Sequence, residues 1–288
     1  MINHKHLVID GSAIAKELLH SLSKKVAQVR KQGIVPTLAV VQIGTNASSR
    51  KYIDKKKEAA EKVGITVRSY HITATKKGNA IIKMIHAIQA IKPLHGCIIQ
   101  LPLPKALQGY TNEILNSIRE DLDIDCLTDR SFARLTKKSL PWLPPTPAAI
   151  LQIIRQTKVN LARKHVVIVG RGALIGKPLT CILMGMPVTV TVCGQHSLPL
   201  GRYTKEADIL ISGVGIPGII NYSMIKQGAI VIDAGFKMKK GKIKGDVNTV
   251  RIKSRAAYFT PVPGGVGPIT VAKLLENVVE NAVRISYK

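Results

Sequence analysis

The sequence predicts an α/β protein of two domains, and three observations carry that prediction. The chain has 288 residues, enough for two domains of ordinary size with a core in each. Patterns of helical and strand period alternate through both halves. A proline cluster at 144–147 separates the halves, and beyond it an apolar strand runs into a glycine-rich turn that opens a helix.

The elements follow in order. A helix is expected over 11–32, an apolar strand over 37–43 and a second helix over 49–63, closed by Gly64. A helix over 79–91 precedes a strand over 96–100, which runs into Leu101-Pro102-Leu103-Pro104. Alternating prolines cannot continue a central ladder, so an extended loop follows. Gln100 then stands at the carboxyl end of a strand, where open α/β sheets bind ligands. A polar stretch over 112–139 holds the acidic cluster Glu120-Asp121-Leu122-Asp123-Ile124-Asp125. Thr146 as N-cap with Pro147 at the first helical position starts a long helix. The boundary falls here, with 1–143 plus 269–288 in one domain and 144–268 in the other.

Beyond the boundary, 165–169 reads as a strand, 170–176 as a glycine turn and 177–186 as a helix, with further strands at 188–193, 209–214, 229–234 and 258–260. This is the pattern of a Rossmann-like dinucleotide-binding domain, in which backbone N–H groups and a helix N-terminus approach a pyrophosphate. The spacing here is G-x-G-x-x-x-G, one residue longer than the commonest form. NAD sites place an acidic residue about 20 positions on, whereas NADP sites use an arginine. Between Gly170 and Glu206 there is no Asp or Glu, and Arg171 lies in the turn, so NADP is favoured over NAD. A helix from Thr270 is expected to return to the first domain.

Lys56 carries the sharpest chemical signal. At about 100° per residue, Tyr52, Lys56, Ala59, Ala60 and Val63 share one apolar stripe, from which Lys51, Lys55, Lys57 and Lys62 are excluded. A lysine drawn under the surface loses hydration of its ammonium, so its pKa falls and a neutral amine becomes available as a base; the competing reading is a lysine that snorkels its stem along the core edge with its charge in water. Asp125 is a candidate partner for a heterocycle with an amidine-like pair of N–H groups, which a carboxylate can accept in parallel. His196 is a weaker candidate for cofactor contact or catalysis, set against an exposed loop histidine.

Composition narrows the classes. The longest apolar runs fall far short of the roughly 20 residues needed to cross a bilayer, so no membrane helix is expected. No continuous apolar segment follows the first basic residues, so a cleavable signal peptide is not expected. Cys97, Cys126, Cys181 and Cys193 are scattered, which fits reduced thiols in a cytoplasm rather than a disulfide framework or a metal site. The formal net charge of +26 can mark a nucleic-acid surface, an attraction for acidic substrates or a basic proteome. Aromatics make up only 4% and do not interleave with the basic residues, which argues against specific nucleic-acid binding.

Taken together, the chain resembles the bifunctional methylenetetrahydrofolate dehydrogenase/methenyltetrahydrofolate cyclohydrolase family of the FolD type over nearly its full length. The resemblance lies in Ser49-x-x-Tyr52-x-x-x-Lys56, Gln100-Leu101-Pro102-Leu103-Pro104, Asp123-Ile124-Asp125, Thr146-Pro147, Gly170-Arg171 with Gly176-x-Pro178, Asp233-x-Gly235, Gly245-Asp246-Val247 and the run from Pro261 to Pro268. It implies an N-terminal α/β catalytic domain that binds folate and a second domain that binds NADP. The implied reactions are oxidation of 5,10-methylenetetrahydrofolate and hydrolysis of the methenyl product to 10-formyltetrahydrofolate.

By the same resemblance Lys56 is the catalytic lysine, Gln100 tunes it, Tyr52 lines the folate ring and Asp125 holds the pterin. Ser49, Pro263, Gly264 and Gly265 bind substrate. Gly170, Arg171, Gly172, Gly176, Pro178, His196, Ser197, Gly215 and Phe236 bind the cofactor. The implied partners are tetrahydrofolate derivatives, including polyglutamylated ones, and a second copy in a homodimer. The chain departs from the family pattern at Leu122 and Cys126, where lysine and glycine are usual, at Pro145 for cysteine, at Gly172 for serine, and at Ile269 for methionine. Gly194 and Gln195 stand as an insertion. Two readings compete: a cyclohydrolase with a weakened dehydrogenase, and a basic folate- or nucleic-acid-binding protein without turnover.

Overall fold

The computed structural model describes residues 7–45, 47–74, 78–239 and 241–286, with backbone only at 7 and 47–52. In chain order the elements begin with β1 (Leu7–Val8), α1 (Gly11–Lys31), β2 (Thr37–Ile43), α2 (Ala47–Val63), β3 (Thr66–Ile72), α3 (Gly78–Ala90) and β4 (Gly96–Ile99). Next come α4 (Thr111–Asn116), α5 (Asp129–Thr136), α6 (Pro145–Gln156), β5 (Lys164–Val169), α7 (Gly176–Leu183), β6 (Val188–Cys193) and α8 (Gly201–Thr204). The last are β7 (Ile209–Ser212), β8 (Ile230–Asp233), β9 (Lys237–Lys239), β10 (Lys242–Lys244), β11 (Tyr258–Phe259) and α9 (Val266–Ser286).

Two compact units result, Met1–Ala15 with Thr146–Thr270, and Lys16–Pro145 with Val271–Lys288. Residues 7–15 thus go with the glycine-turn unit instead of the unit they precede. The cause is β1, which pairs in parallel with β11, and Ile9 N–H, which donates to the Phe259 carbonyl at 2.9 Å. A strand of two residues has no period to read in the sequence.

In the unit of Lys16–Pro145, three parallel strands lie in the order β3-β2-β4. Central β2 is apolar along its length because both its faces are covered. Leu38 and Val40 face a core shared with Ile53 and Ala60 of α2 and Leu274, Leu275, Val278 and Val279 of α9. Ala39, Val41 and Ile43 face Ile81, Ile85 and Ile88 of α3. Edge strand β3 exposes Thr66, Ser69 and His71, and this polar composition hid it from the sequence reading. Because β3 and β4 flank β2 on opposite sides, the order reverses between β2 and β4, and open α/β sheets bind ligands outside the carboxyl ends of strands at such a reversal.

The other unit carries six strands in the order β1-β11-β8-β7-β5-β6, with parallel pairing throughout. Here the chain goes from β5 outward to β6 and then returns to the other side of β5 as β7. The switch point lies between the carboxyl ends of β5 and β7. The ribbon β9–β10 turns at Gly241, whose φ is 73°, and sets Lys237 opposite Lys244 and Lys239 opposite Lys242.

Two helix starts differ from expectation. Helix α6 begins at Pro145 rather than after Thr146, and α9 at Val266 rather than Thr270. Both first turns contain proline, which is tolerated because the first N–H groups of a helix have no intrahelical acceptor.

Candidate active site

Helix α2 sorts its lysines by face. Lys57 and Lys62 are exposed and pair along the helix with Glu61 at 3.9 Å and Glu58 at 2.6 Å. Lys56 is half-buried on the stripe of Ile53, Ala60 and Val63, and its Nζ donates to Gln100 Oε1 at 3.1 Å. Gln100 is itself fixed at the end of β4. Its backbone N–H donates to the Val41 carbonyl at 2.8 Å and its Nε2 to the Leu101 carbonyl at 2.7 Å, which turns Oε1 toward the lysine. Burial pulls the Lys56 ammonium below the ordinary lysine range, and the Asp125 carboxylate opposes that shift. Asp125 is displaced the other way: burial raises its carboxyl, Lys56 lowers it, and Asp123 raises it further.

Asp123 and Asp125 have different surroundings. Asp123 is fully buried and accepts from Leu127 N at 3.2 Å, Thr128 N at 2.9 Å and Ser131 Oγ at 2.7 Å. Among the described residues nothing donates a hydrogen bond to the Asp125 carboxylate. The segment carrying both is tied to α9. Asn277 Nδ2 donates to the carbonyls of Ile124 and Leu143 at 2.9 and 3.0 Å, and Asn281 Nδ2 to those of His95 and Asp121 at 2.7 and 2.6 Å. Cys126 is left-handed with φ of 59°. Ser49 and Tyr52 lie in α2, but their side chains fall outside the described residues.

One further residue joins this group. Along β2 the side chains alternate, so Gln42 shares the face of Leu38 and Val40, as Gln100 shares that of Ile98 on β4. The Gln42 Nε2 is buried without a hydrogen-bond partner among the described residues.

The glycine turn after β5 is built by close approach. Gly170 has φ of 120°, and a Cβ there would lie 2.9 Å from the Gly213 carbonyl oxygen, in the loop after β7. A Cβ on Gly176 would overlap the Gly170 carbonyl, so only glycine lets α7 start so close to the turn. Around Gly172, by contrast, a Cβ would meet nothing within 4 Å. This open backbone cradle at a switch point, with no carboxylate between Gly170 and Glu206, fits the phosphates of a dinucleotide. Arg171 is exposed and lies against Gly194, where a Cβ would come 2.8 Å from its Nε. The lack of a side chain at Gly194 therefore makes room for the arginine.

Gly194 N–H donates to Ser197 Oγ at 3.0 Å, and His196 beside it is exposed. Pro178 is buried in the first turn of α7. Gly215 has φ of 70°, and a Cβ on it would lie 3.3 Å from the carbonyl oxygen of Phe236, whose ring is exposed. Pro263, Gly264 and Gly265 form the turn before α9 in this same unit. Gly264 has φ of 96°; a Cβ on Gly11 would overlap the Gly265 carbonyl, and one on Gly265 would overlap the Pro261 carbonyl oxygen, so neither accepts a side chain.

Comparison with known proteins gives the family. The family model described as "Tetrahydrofolate dehydrogenase/cyclohydrolase, catalytic domain" matches residues 9–125, and its "NAD(P)-binding domain" counterpart matches 144–286. The chain belongs to the tetrahydrofolate dehydrogenase/cyclohydrolase family. It is 38% identical to the "Bifunctional protein FolD" of Thermodesulfovibrio yellowstonii, with 94% of this chain and 95% of that protein covered. Among solved structures, the Trypanosoma brucei dehydrogenase-cyclohydrolase complexed with NADP and an inhibitor has a TM-score of 0.91 and 32% identity, covering 98% of this chain and 99% of that one. The Campylobacter jejuni bifunctional enzyme has the same TM-score and identity, covering 97% and 99%.

Within this family member, Lys56, Gln100 and Asp125 come together in one unit as expected, and the turn of Gly170 to Gly176 in the other. Among the described residues no helix is long and apolar enough to cross a membrane. Sequence reasoning assigned no role to Gln42 or to Asp246. The signal for Gln42 was available, since it is a polar residue at the carboxyl end of an apolar strand, as Gln100 is.

Proposed function

We propose that the chain oxidises 5,10-methylenetetrahydrofolate to the 5,10-methenyl cation with NADP and then hydrolyses that cation to 10-formyltetrahydrofolate. The observation that carries this reading is the Lys56 amine, lowered in pKa by burial and held by Gln100 beside a carboxylate to which none of the described residues donates. In hydrolysis, water adds to the bridge carbon between the two nitrogens of the cation. The neutral Lys56 amine takes the proton that the attacking water sheds. Gln100 Oε1 accepts from the resulting ammonium, and that proton is passed to the departing N5 as the carbon–nitrogen bond breaks, while the hydroxyl of the adduct releases its own proton to solvent and its electron pair closes the formyl C=O. Asp125 accepts the paired N–H groups of the pterin and fixes the ring against the lysine.

The oxidation asks less of the protein's acids and bases. Loss of hydride leaves a cation shared by two nitrogens, so alignment is the main requirement. NADP, when bound, supplies the hydride acceptor. The turn of Gly170 to Gly176 offers backbone N–H groups to its phosphates, Arg171, His196 and Ser197 stand at the end of β6 for the 2′-phosphate, and Gly215 and Phe236 flank the switch point. Ser49, Tyr52 and the turn of Pro263 to Gly265 complete the folate contacts in this reading.

The test is spectroscopic. Methenyltetrahydrofolate should lose its absorbance without any nucleotide, and methylenetetrahydrofolate should reduce NADP in preference to NAD. Hydrolysis without reduction of either nucleotide would leave only the cyclohydrolase. The reading includes polyglutamylated folates, a homodimer and a cytoplasmic location. KM values for mono- and polyglutamates and light scattering test the first two.

A further inference from the structure

Asp233 and Asp246 are buried in the dinucleotide-type unit and belong to neither reaction as described above. They interlock. A Cβ on Gly235, two residues after Asp233, would overlap the Asp246 carboxylate, and one on Gly245, just before Asp246, would overlap that of Asp233. Asp233 accepts from Gly235 N at 3.1 Å and Val247 N at 2.8 Å, and its own N–H donates to Thr260 Oγ1 at 2.8 Å. These contacts close the base of the β9–β10 ribbon.

Asp246 reaches across to the loop that follows β7. Its Oδ2 accepts from Ser212 Oγ and Val214 N, each at 2.8 Å, and its Oδ1 from Ile216 N at 2.8 Å. One carboxylate thus takes the amides on either side of Gly215. The Gly215 amide itself has no acceptor among the described residues. The same loop touches the phosphate-type turn, since the Gly213 carbonyl packs on Gly170 and a Cβ on Gly213 would lie 2.7 Å from Ile175. The loop therefore lines the switch point between β5 and β7, where ligands bind in such sheets.

We propose that Asp246 is a positioning residue for the dinucleotide: by holding the Val214 and Ile216 amides it turns the Gly215 N–H toward the bound nucleotide and sets the depth of the loop. The ligand group this amide suits is an uncharged or anionic oxygen acceptor of the nicotinamide half. The proposal rests on the NADP reading given above.

The experiment uses the full chain and measures NADP binding by titration calorimetry alongside nucleotide-free hydrolysis of methenyltetrahydrofolate. Asp246→Asn keeps the shape but turns an N–H pair toward protein donors. It is expected to weaken NADP about tenfold, equivalent to ~1.4 kcal/mol. Ser212→Ala removes one donor and leaves both loop amides bonded, so about a threefold loss is expected. Hydrolysis should stay within about twofold of the parent in both, because the lysine site lies in the other unit. A merely structural aspartate would lower the melting temperature and leave the NADP Kd unchanged well below it. An unchanged Kd in folded Asp246→Asn, or an equal loss of hydrolysis, overturns the proposal. Should Asp246→Asn fail to fold, Ser212→Ala decides by the same criterion. A parent that hydrolyses the methenyl substrate but binds no NADP would instead overturn the dinucleotide reading, and this proposal with it.

Discussion

Asp123 and Asp125 stand two positions apart, yet the Asp123 carboxylate accepts three hydrogen bonds from the protein and the Asp125 carboxylate accepts none from the described residues. The first is a structural anchor and the second is available to a ligand. Asp123→Asn is therefore expected to cost about 2–3 kcal/mol of stability, because buried backbone donors lose a charged acceptor. Asp125→Asn should fold normally in urea titrations and raise the folate KM. It also removes the charge that holds the Lys56 pKa up, so the acidic limb of the hydrolysis profile should move to lower pH. Equal stability losses in the two variants would refute the division of roles.

Gln100→Glu tests the lysine from the other side. A carboxylate at the Oε1 position favours the ammonium, so the Lys56 pKa rises and the neutral fraction at a given pH falls. The acidic limb of kcat for hydrolysis should shift to higher pH, opposite in sign to the Asp125 variant. A shift in the same direction for both would count against Lys56 as the titrating base.

Asp233 should leave a mark on stability. Burial raises its folded pKa from 3.8 to about 7. Between these values the folded chain holds a proton that the unfolded chain has released, so stability falls as pH climbs from about 4 to about 7 and levels off beyond. The slope for one proton is roughly 1.4 kcal/mol per pH unit. Asp233→Asn stays neutral throughout, so its stability relative to the parent should improve between pH 5 and pH 8. Parallel denaturation profiles for the two proteins would remove burial as the cause.

Cys126 is buried with φ of 59°, a conformation that branched side chains adopt only under strain. Cys126→Val should cost about 1–3 kcal/mol, whereas Cys126→Gly should change stability by no more than about 1 kcal/mol, conformational relief offsetting lost contact. Chemical denaturation of the two variants gives the comparison, and a stable valine variant would contradict the strain argument.

Gln42 offers a buried Nε2 with no partner among the described residues. Replacing it by leucine should raise stability by about 1 kcal/mol, since an unsatisfied donor is removed from an apolar face. If that donor serves the substrate, the KM for methenyltetrahydrofolate should rise severalfold at the same time. A gain in stability with unchanged KM would make it a vacant packing site.

Much of this was legible before any coordinates. Lys56 could be read because a stripe of period 3.6 separates it from its neighbours, and Gln100 because prolines mark the end of its strand. The glycine turn announced itself by composition. Short β1, polar edge strand β3 and the lysine-rich ribbon β9–β10 did not, because two or three residues carry no period and edge strands carry weak patterns. Asp246 was visible only as part of a motif. Its role depends on Ser212, 34 positions earlier, and no local pattern encodes such a partner.

The tether from α9 bears on biosynthesis. Asn277 and Ile124 are separated by 153 residues. A ribosome that has already released Lys56, Gln100 and Asp125 must therefore translate the whole dinucleotide-type unit before the asparagines that pin the Asp125 segment emerge. The group of Lys56, Gln100 and Asp125, encoded first, gains its last tether only at the end of synthesis. A nascent chain halted before α9 would carry a complete glycine turn and an unanchored Asp125 segment.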